Sequence, residues 1–491
     1  MDEQHSHFTA LYPLTPFDKI FERTTFVTGW LVEGKINANV VEEALRRVTN
    51  KWRMLAGRVK SLKEGNETKW YLHVPLGPLP AEYKTFTLTT STSDVPISTY
   101  TSIPIPRVSN SLPPELFIHP STPRQYTQWE STQHPLTGWH ITYFPGSTAS
   151  PGSVKGWSPE DYKAYTAIGF ARSHGIFDGV GAALVMRALI SELNNKPWPV
   201  PSLLTPGVNV NPIVRALEGE ENPAIEGAYR AFTPTGISGF LRMIAWHTRE
   251  RYLRGADRRI CLVPKDAFAR LVEGVKNELV KKGHPTNSVT SGDILTAWIY
   301  KTLYAEGVSD STIVHITNFA SFRSTLASED SAKDPILSYP HNAFTPLPYP
   351  ALPASEIRGF TLQGLSTLLA TSRQSLSRAH VAAAYKTLQT PHFPAHPDAQ
   401  DSLTVSNVSA SRILESDWTA AGATRTVCGY RYQLTPTGVV FANAVYIAGR
   451  LDDGAVVLDV TLNSHKMKLL ELEVQRLTRV VSAGASPNRS P

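Results

Sequence analysis

The stretch ARSHGIFDGVG, residues 171–181, joins an apolar run to a helix-like run and decides the fold. The run before it, AYTAIGFA at 164–171, is typical of a buried strand. The run after it, GVGAALVMRALISEL, carries a broad apolar stripe at helical spacing, made of Val180, Leu184, Val185, Ala188, Leu189 and Leu193. We therefore predict a strand, a tight turn and a helix, with His174 and Asp178 in the turn.

Two interpretations of His174 and Asp178 follow from this position. A neutral imidazole, with an ordinary pKa of about 6.5, can accept a proton at the exposed end of a strand and act as a general base. Alternatively, His174 is packed and hydrogen-bonded beside the core, while Asp178 caps the helix that begins at Gly179. The spacing of the residues leaves both interpretations open.

Length and composition set the class of protein. A chain of 491 residues exceeds what one hydrophobic core usually supports, so we expect two or three domains. The net charge is +6, but the 48 basic and 42 acidic residues are interspersed, without the basic run typical of nucleic-acid binding. Only Cys261 and Cys428 are present, far apart in the chain, which argues against a disulfide framework and favours a reducing compartment.

The chain shows no sign of export or membrane insertion. Its N-terminus, MDEQHSHFTALYPLTPFDK, lacks the basic and apolar regions of a secretory signal, and no apolar run reaches the roughly 18 to 20 residues that span a bilayer. We therefore predict a cytoplasmic protein without an integral membrane segment. The basic amphipathic segment FLRMIAWHTRERYLR, residues 240–254, has two interpretations, an interfacial membrane helix or a helix packed on the second domain.

The pattern along the chain predicts a mixed α/β fold in two parts. An N-terminal domain over 1–205 and a C-terminal domain over 229–491 would be joined by a crossover linker at 206–228, because repeated prolines between 194 and 228 disfavour regular structure. Residues 71–160 should form strands joined by long loops, and residues 340–400 show no regular pattern.

The predicted elements have the same character in both parts. The strands are GWLVEGKI at 29–36, ICLVP at 260–264, STIVHITNF at 311–319 and a hairpin of 438–451 with 455–464 around the turn DDG. The helices are NANVVEEALRRVTNKW at 37–52, SGDILTAWIYKTLYAEG at 291–307 and MKLLELEVQRLTRVV at 467–481.

Three other kinds of site are disfavoured. Leu184 stands at the third small position that a dinucleotide-binding fingerprint requires. No metal site is expected, since Pro394 prevents the helix that would align His392 with His396. No G-x-S-x-G elbow of a serine hydrolase occurs in the sequence.

Several short motifs resemble one enzyme family. The segment HGIFDG at 174–179 resembles the H-x-x-x-D-G signature of acyl-CoA-dependent acyltransferases of the BAHD type and of their relatives, chloramphenicol acetyltransferase and peptide-synthetase condensation domains. The other matches, in family order, are LTPFDK at 14–19, LAGRV at 55–59, SVTSGDILTAWIY at 288–300, NFASFR at 318–323 and YPHNAF at 339–344. Two departures make the chain more similar to the fungal branch that includes trichothecene acetyltransferases. The family's D-F-G-W-G block appears only as Asp417-Trp418, and Val408 stands where plant members often have Trp in a T-S-W stretch.

The resemblance implies an architecture and an activity. We expect two chloramphenicol-acetyltransferase-like domains of mixed sheets and helices, separated by a solvent channel. The expected activity is that of a monomeric O-acyltransferase. It would use acetyl-CoA or another acyl-CoA as co-substrate and a hydroxyl of a small hydrophobic secondary metabolite as acceptor. No permanently bound cofactor is implied. The acyl length and the acceptor are left open.

The resemblance also assigns roles to individual residues. His174 would be the general base, and Asp178 would pair with Arg323 in a structural role. Ser406 would lie near the oxyanion, and Asn342 and Asp417 would stabilise loops at the channel. For the CoA phosphates the candidates are Lys265, Thr290 and Ser291, although Thr290 and Ser291 also suit a helix cap with Asp293 as an imperfect partner.

Two alternatives remain at this stage. The first is a family member that uses an amine acceptor or a carrier-bound acyl donor, as condensation-type enzymes do. The second is a non-catalytic binding protein that keeps the fold.

Overall fold

A computed structural model describes residues 9–146, 163–201, 211–328 and 334–484. Its strands are β1 (Thr9–Pro13), β2 (Thr25–Glu33), β3 (Arg58–Glu64), β4 (Glu67–Pro75), β5 (Thr87–Thr92), β6 (Val108–Asn110), β7 (Thr137–Phe144), β8 (Tyr165–Ser173), β9 (Thr233–Pro234), β10 (Asp257–Val263), β11 (Ile313–Ser321), β12 (Phe344–Pro346), β13 (Leu352–Pro353), β14 (His392–Phe393), β15 (Asp401–Asn407), β16 (Arg425–Leu434), β17 (Ala444–Arg450) and β18 (Val456–Leu462).

The α-helices of the same residues are α1 (Pro16–Lys19), α2 (Ala38–Lys51), α3 (Tyr126–Ser131), α4 (Gly179–Leu193), α5 (Pro212–Ala216), α6 (Pro223–Ala228), α7 (Ile237–Thr248), α8 (Lys265–Lys281), α9 (Ser291–Leu303), α10 (Arg323–Leu326), α11 (Ala354–Gly359), α12 (Leu362–Gln374), α13 (Arg378–Thr387) and α14 (Ser464–Gly484). Strands and helices alternate along much of the chain, which confirms the predicted mixed α/β class.

Two large sheets carry the architecture. One has five strands in the order β16-β2-β8-β7-β5, and the other has eight strands in the order β12-β11-β15-β17-β18-β10-β6, with β13 beside β11. Both are mixed, because β5 and β7 run parallel in the first sheet, as do β11, β15 and β17 in the second. Each sheet has its own apolar core.

The central strands of the first sheet position the site. Strand β8 is buried along its whole length between β2 and β7, which suits the continuous apolar run that predicted it. Helix α4 begins one turn after β8 ends, and its buried face packs against α2. The strand, turn and helix predicted around residues 171–181 are therefore confirmed.

The two sheets exchange strands across the predicted linker. Strand β16, from the C-terminal part of the sequence, pairs antiparallel with β2 in the first sheet. Strand β6, from the N-terminal part, pairs antiparallel with β10 in the second sheet. The division into 1–205, 206–228 and 229–491 stays a prediction, and residues 206–210 of the linker lie outside the described residues.

Two regions are more regular than predicted. Helices α11, α12 and α13 occupy much of 340–400, where no regular structure was expected. Helices α5 and α6 occur in the proline-rich part before residue 228, and Pro212 and Pro223 each stand at the first helical position. Proline is tolerated there because that N–H has no partner within the helix.

Helix α7 covers residues 240–248 of the segment for which two interpretations were open, and a π-helical turn at Arg249–Leu253 follows it. Its apolar side chains Ile237, Leu241 and Ile244 are exposed, so this face is not packed on the C-terminal core. The turn after the helix is anchored, since the buried carboxylate of Glu250 accepts hydrogen bonds from Arg254 and Asn463. None of the helices within the described ranges is both long and apolar enough to cross a bilayer.

Candidate active site

The backbone of His174 is held on both sides. Its N–H donates to the carbonyl of Thr24 at 2.8 Å, which continues the pairing of β8 with β2 by one residue. Its carbonyl accepts a hydrogen bond from Nδ2 of Asn342 at 2.8 Å. These two bonds fix the backbone at the point where the strand ends and the turn begins.

Aromatic rings orient the His174 side chain. Its imidazole stacks on Phe21 with ring centroids 4.2 Å apart and lies edge-on to Phe26 at 5.0 Å. Phe344 is parallel to it at 5.9 Å. Nδ1 is enclosed without a hydrogen-bond partner among the described residues. The imidazole is partly exposed and lines a channel.

The surroundings keep His174 neutral. Burial lowers the pKa of the imidazole to about 3, and the positive charges of Arg172 and Arg431 act in the same direction. Asp178 and the backbone of Phe177 oppose this effect without cancelling it. At neutral pH the ring therefore has a free lone pair, which is the form that a general base requires.

Asp178 is fully engaged in structural hydrogen bonds. Its carboxylate accepts two from Arg323, with Nη1 to Oδ2 at 2.8 Å and Nη2 to Oδ1 at 3.0 Å. It also accepts the backbone N–H of Gly181 at 2.7 Å, as the cap of α4, and that of Ala343 at 3.1 Å. Both side chains of the ion pair are 4% exposed. Asp178 thus ties the turn after His174 to two other segments.

Arg323 extends this connection. Its Nε donates to the carbonyl of Tyr339 at 2.9 Å and its Nη2 donates to the carbonyl of His341 at 2.7 Å. The ion pair therefore joins α4, the segment after β11 and residues 339–343. The structure brings together these two residues, which the sequence analysis placed as partners.

Close backbone packing explains a glycine in the quoted stretch. A Cβ atom at Gly181 would lie 1.8 Å from the carbonyl oxygen of Pro340, so only glycine fits there. The first turn of α4 consequently lies directly against residues 339–343, which carry the carbonyls that Arg323 binds.

Asp18 is a supporting residue that the sequence analysis did not single out. It is buried, and its Oδ1 accepts the backbone N–H of Asn342 at 3.1 Å while its Oδ2 accepts from the N–H and hydroxyl of Thr15 at 2.7 and 2.8 Å. Burial raises the pKa of Asp18 to about 7. Because Asn342 holds the carbonyl of His174, Asp18 acts on the site through Asn342. The motif LTPFDK contained the signal.

The channel lies between the two sheets and has a volume of about 400 Å³. Residues from both parts of the sequence line it, including His174 after β8, Ser406 on β15 and Thr290 at the start of α9. Its aromatic lining consists of Phe21, Phe26, Phe319, Phe344, Phe393, Phe441 and Tyr446. A space of this size with several aromatic side chains in its walls suits a small hydrophobic ligand.

Thr290 and Asp293 form a complete capping box at the channel. The Asp293 N–H donates to the Thr290 hydroxyl at 3.2 Å, and the Thr290 backbone N–H donates to Oδ2 of Asp293 at 2.8 Å. The predicted imperfect partnership is thus a full one, with Ser291 at the first helical position instead of the cap. Arg373, which the sequence analysis did not identify, donates to both oxygens of Asp293 at 2.9 and 3.0 Å.

Other candidates from the sequence lie in different places. Lys265 is exposed at the start of α8 and is not among the residues that line the channel. Asp417 is also exposed and away from the channel, where its Oδ1 accepts the N–H of Thr419 at 2.9 Å. The expected channel position of Asp417 is therefore wrong, because its carboxylate stabilises a surface turn. His392 lines the channel, while His396 packs beside His315.

Comparison with solved structures identifies the fold. F. graminearum TRI101, solved with coenzyme A and deoxynivalenol, is 15% identical, with a TM-score of 0.64 over 96% of this chain and 98% of that chain. F. sporotrichioides TRI101, solved with coenzyme A and T-2, is 14% identical, with a TM-score of 0.63 over 95% and 98%. Vinorine synthase is 12% identical, with a TM-score of 0.55 over 95% and 93%.

The chain has the fold of BAHD acyltransferases. This confirms the fold that the motif resemblance implied, with its mixed sheets in a two-part arrangement. No protein-family model and no curated protein sequence matches the chain. Identities of 12% to 15% leave the chemistry to be argued from the residues of the channel.

Proposed function

We propose that this protein is an acyl-CoA-dependent O-acyltransferase, with acetyl-CoA as the donor and a hydroxyl of a small hydrophobic secondary metabolite as the acceptor. The observation that carries the proposal is the neutral imidazole of His174, a residue of the channel that both parts of the chain line. TRI101 and vinorine synthase, which share the fold, add support at the level of reaction class.

The proposed reaction needs no covalent enzyme intermediate. Nε2 of His174 takes the proton of the acceptor hydroxyl while that oxygen attacks the thioester carbonyl carbon. The carbonyl electron pair moves onto its oxygen and gives a tetrahedral oxyanion. When the oxyanion collapses, the C–S bond breaks, and the imidazolium returns its proton to the departing CoA sulfur. The products are the ester and CoA.

The other channel residues have supporting roles in this proposal. Ser406 lines the same channel as His174 and would donate its hydroxyl to the oxyanion, a contribution of about 10²–10³-fold. Asp178 and Arg323 hold the turn and do not meet the substrate, since the carboxylate is already saturated with donors. Thr290 and Ser291, at the N-terminus of α9, would contact CoA, with Lys265 at its phosphates.

We also propose that the protein acts as a monomer in the cytoplasm. Cys261 and Cys428 are both free and buried, as expected for a reducing compartment. Size-exclusion chromatography with light scattering would measure the oligomeric state.

The proposal is tested by incubating the purified protein with isotopically labelled acetyl-CoA and a panel of hydroxylated small molecules. We expect CoA release together with a labelled ester product identified by mass spectrometry. A labelled amide, or transfer only from a carrier-bound donor, would favour the condensation-type alternative. Binding of CoA without any release in the presence of acceptors from the protein's own source would favour the non-catalytic alternative.

A further inference from the structure

Arginines line the channel in two different states. Arg373 reaches it with its charge paired to Asp293, and Asp178, the other acidic residue of the lining, is paired to Arg323. Arg431 also lines the channel, but no carboxylate among the described residues forms an ion pair with it. The two lining carboxylates are therefore already neutralised, and the charge of Arg431 is left over.

The side chain of Arg431 is buried, but it donates no hydrogen bond to any described residue. The residue is 6% exposed and lies on β16, with its guanidinium carbon 4.6 Å from the ring centroid of Phe26 and 5.3 Å from that of Tyr446. Its side chain donates no hydrogen bond within the described residues, and its Nη1 is completely enclosed without a partner. The residue is part of the channel lining. A buried donor left without an acceptor costs about 1–3 kcal/mol, and more when it is charged.

A second unpaired cation lies on the same ring. Arg172 is 2% exposed, and its guanidinium carbon is 5.3 Å from the centroid of Phe26 and 4.8 Å from that of Phe170. Its Nη1 donates to the hydroxyl of Thr28 at 3.1 Å, and no carboxylate of the described chain pairs with it. Two positive charges therefore lie against Phe26, which also contacts the imidazole of His174.

The nearby carboxylate of Asp459 does not pair with the guanidinium of Arg431. Asp459 accepts the backbone N–H of Arg431 at 2.9 Å, but its carboxylate is engaged by the side chain of Arg258. The protein thus holds a cation at the channel wall, one aromatic ring away from the proposed base, and no residue in the described ranges supplies an anion for it.

We propose that Arg431 binds a carboxylate of the substrate, so that the channel selects a ligand with an acidic group close to the reacting centre. The inference rests on the proposed acyltransferase function. The planar guanidinium fork matches the two oxygens of a carboxylate better than any neutral group. The phosphates of CoA do not fit this role, because the whole pantetheine arm separates them from the thioester that must reach His174.

A bound anion also suits the chemistry at His174. Arg172 and Arg431 are among the causes that lower the pKa of the imidazole. An anion on Arg431 offsets part of their charge, which raises the basicity of His174 only when the substrate is in place.

Two sources of the carboxylate are possible, and two binding experiments separate them. Isothermal titration of malonyl-CoA, acetyl-CoA and CoA tests an acidic acyl group. Titration of benzoate and its neutral isostere benzamide into the CoA-saturated protein tests an acidic acceptor. We expect about tenfold tighter binding of the anionic member in one of these comparisons, and loss of that preference in Arg431→Gln. Arg425→Gln removes an exposed positive charge from the same strand and should keep the preference.

The outcomes distinguish the inference from the function on which it rests. A preference for malonyl-CoA assigns the carboxylate to the acyl group, and a preference for benzoate assigns it to the acceptor. CoA binding with no anionic preference in either comparison overturns the inference and leaves the acyltransferase proposal standing. Failure of malonyl-CoA, acetyl-CoA and CoA all to bind overturns the acyltransferase proposal itself. Because both comparisons use the wild-type protein, they remain decisive even if Arg431→Gln does not fold. In that case Arg431→Lys tests whether the planar guanidinium is needed, since it keeps the charge.

Discussion

The two arginine sites beside His174 are equally buried and differ in what they are bonded to. Arg323 is 4% exposed and gives its donors to Asp178 and to two backbone carbonyls. Arg431 is 6% exposed and donates no side-chain hydrogen bond within the described residues. Arg323 thus stabilises the turn, whereas the side-chain donors of Arg431 are not used by the described residues. Burial of a charge therefore does not by itself indicate a structural role, and the partners decide it.

The largest effect that separates the two sites is expected on stability. Arg323→Ala should lower the free energy of unfolding by about 3–5 kcal/mol, because the carboxylate of Asp178 remains buried without its partner. Urea denaturation followed by circular dichroism measures this loss. Arg425→Ala is the matched control, since its ion pair with Glu33 is solvent-exposed and should contribute about 1 kcal/mol or less. Equal losses in the two variants would remove the structural role of Arg323.

Substitution of Arg373 should cost less stability than that of Arg323 and more than that of Arg425. Its ion pair with Asp293 is bidentate, but its side chain is 33% exposed, so water can take over part of its role. We expect Arg373→Ala to lower the free energy of unfolding by about 1–3 kcal/mol. Arg373→Lys should recover only part of the loss, because it keeps the charge and loses the fork. A loss as large as that of Arg323→Ala would show that side-chain exposure does not determine how much each ion pair contributes to stability.

The pH dependence of stability tests the charge around His174. The pKa of His174 is about 3 in the folded state and about 6.5 in the unfolded state, so below pH 6.5 the unfolded chain binds a proton that the folded protein does not. Stability should consequently fall as the pH decreases from about 6.5 towards 3. His174→Phe removes this contribution, and its stability should fall by about 1–2 kcal/mol less than that of the wild type between pH 6.5 and 5. Parallel curves for the two proteins would contradict the depressed pKa.

The smallest effect on stability is expected at the unpaired site. Arg431→Met keeps the contact with Phe26 and removes a buried charge, so the free energy of unfolding should change by about 1 kcal/mol or less, or increase. The same variant should raise the pKa of His174, because one of the two cations that lower it is gone. Histidine NMR titration measures this shift, with Arg425→Met as the control. A loss comparable to that of Arg323→Ala would mean that Arg431 has a partner in solution.

Much of the site's framework could be predicted because it is local. The buried run before His174 and the apolar stripe after it specify β8 and α4, and Asp178 caps the helix within the same turn. The partnership of Asp178 with Arg323 required the motif resemblance, since the residues are 145 positions apart.

The features that the sequence did not predict depend on tertiary structure or on a local pattern that nearby residues obscured. The pairing of β16 with β2 joins distant segments, and no local pattern specifies it. The same is true of the unpaired state of Arg431, since only the folded chain shows which carboxylates are within reach. The local sequence does predict helix α12, because Thr361 caps it and Leu362, Leu365 and Leu369 follow at helical spacing. The neighbouring prolines at 346–353 obscured that pattern.

The central claim is that Nε2 of His174 removes the acceptor proton, and the most direct test is the rate of CoA release by His174→Ala with an acceptor that the wild-type protein acylates. The account predicts a rate about 10²–10⁴-fold lower than that of the wild type, with the denaturation midpoint little changed. An unchanged rate in a correctly folded His174→Ala protein would contradict it.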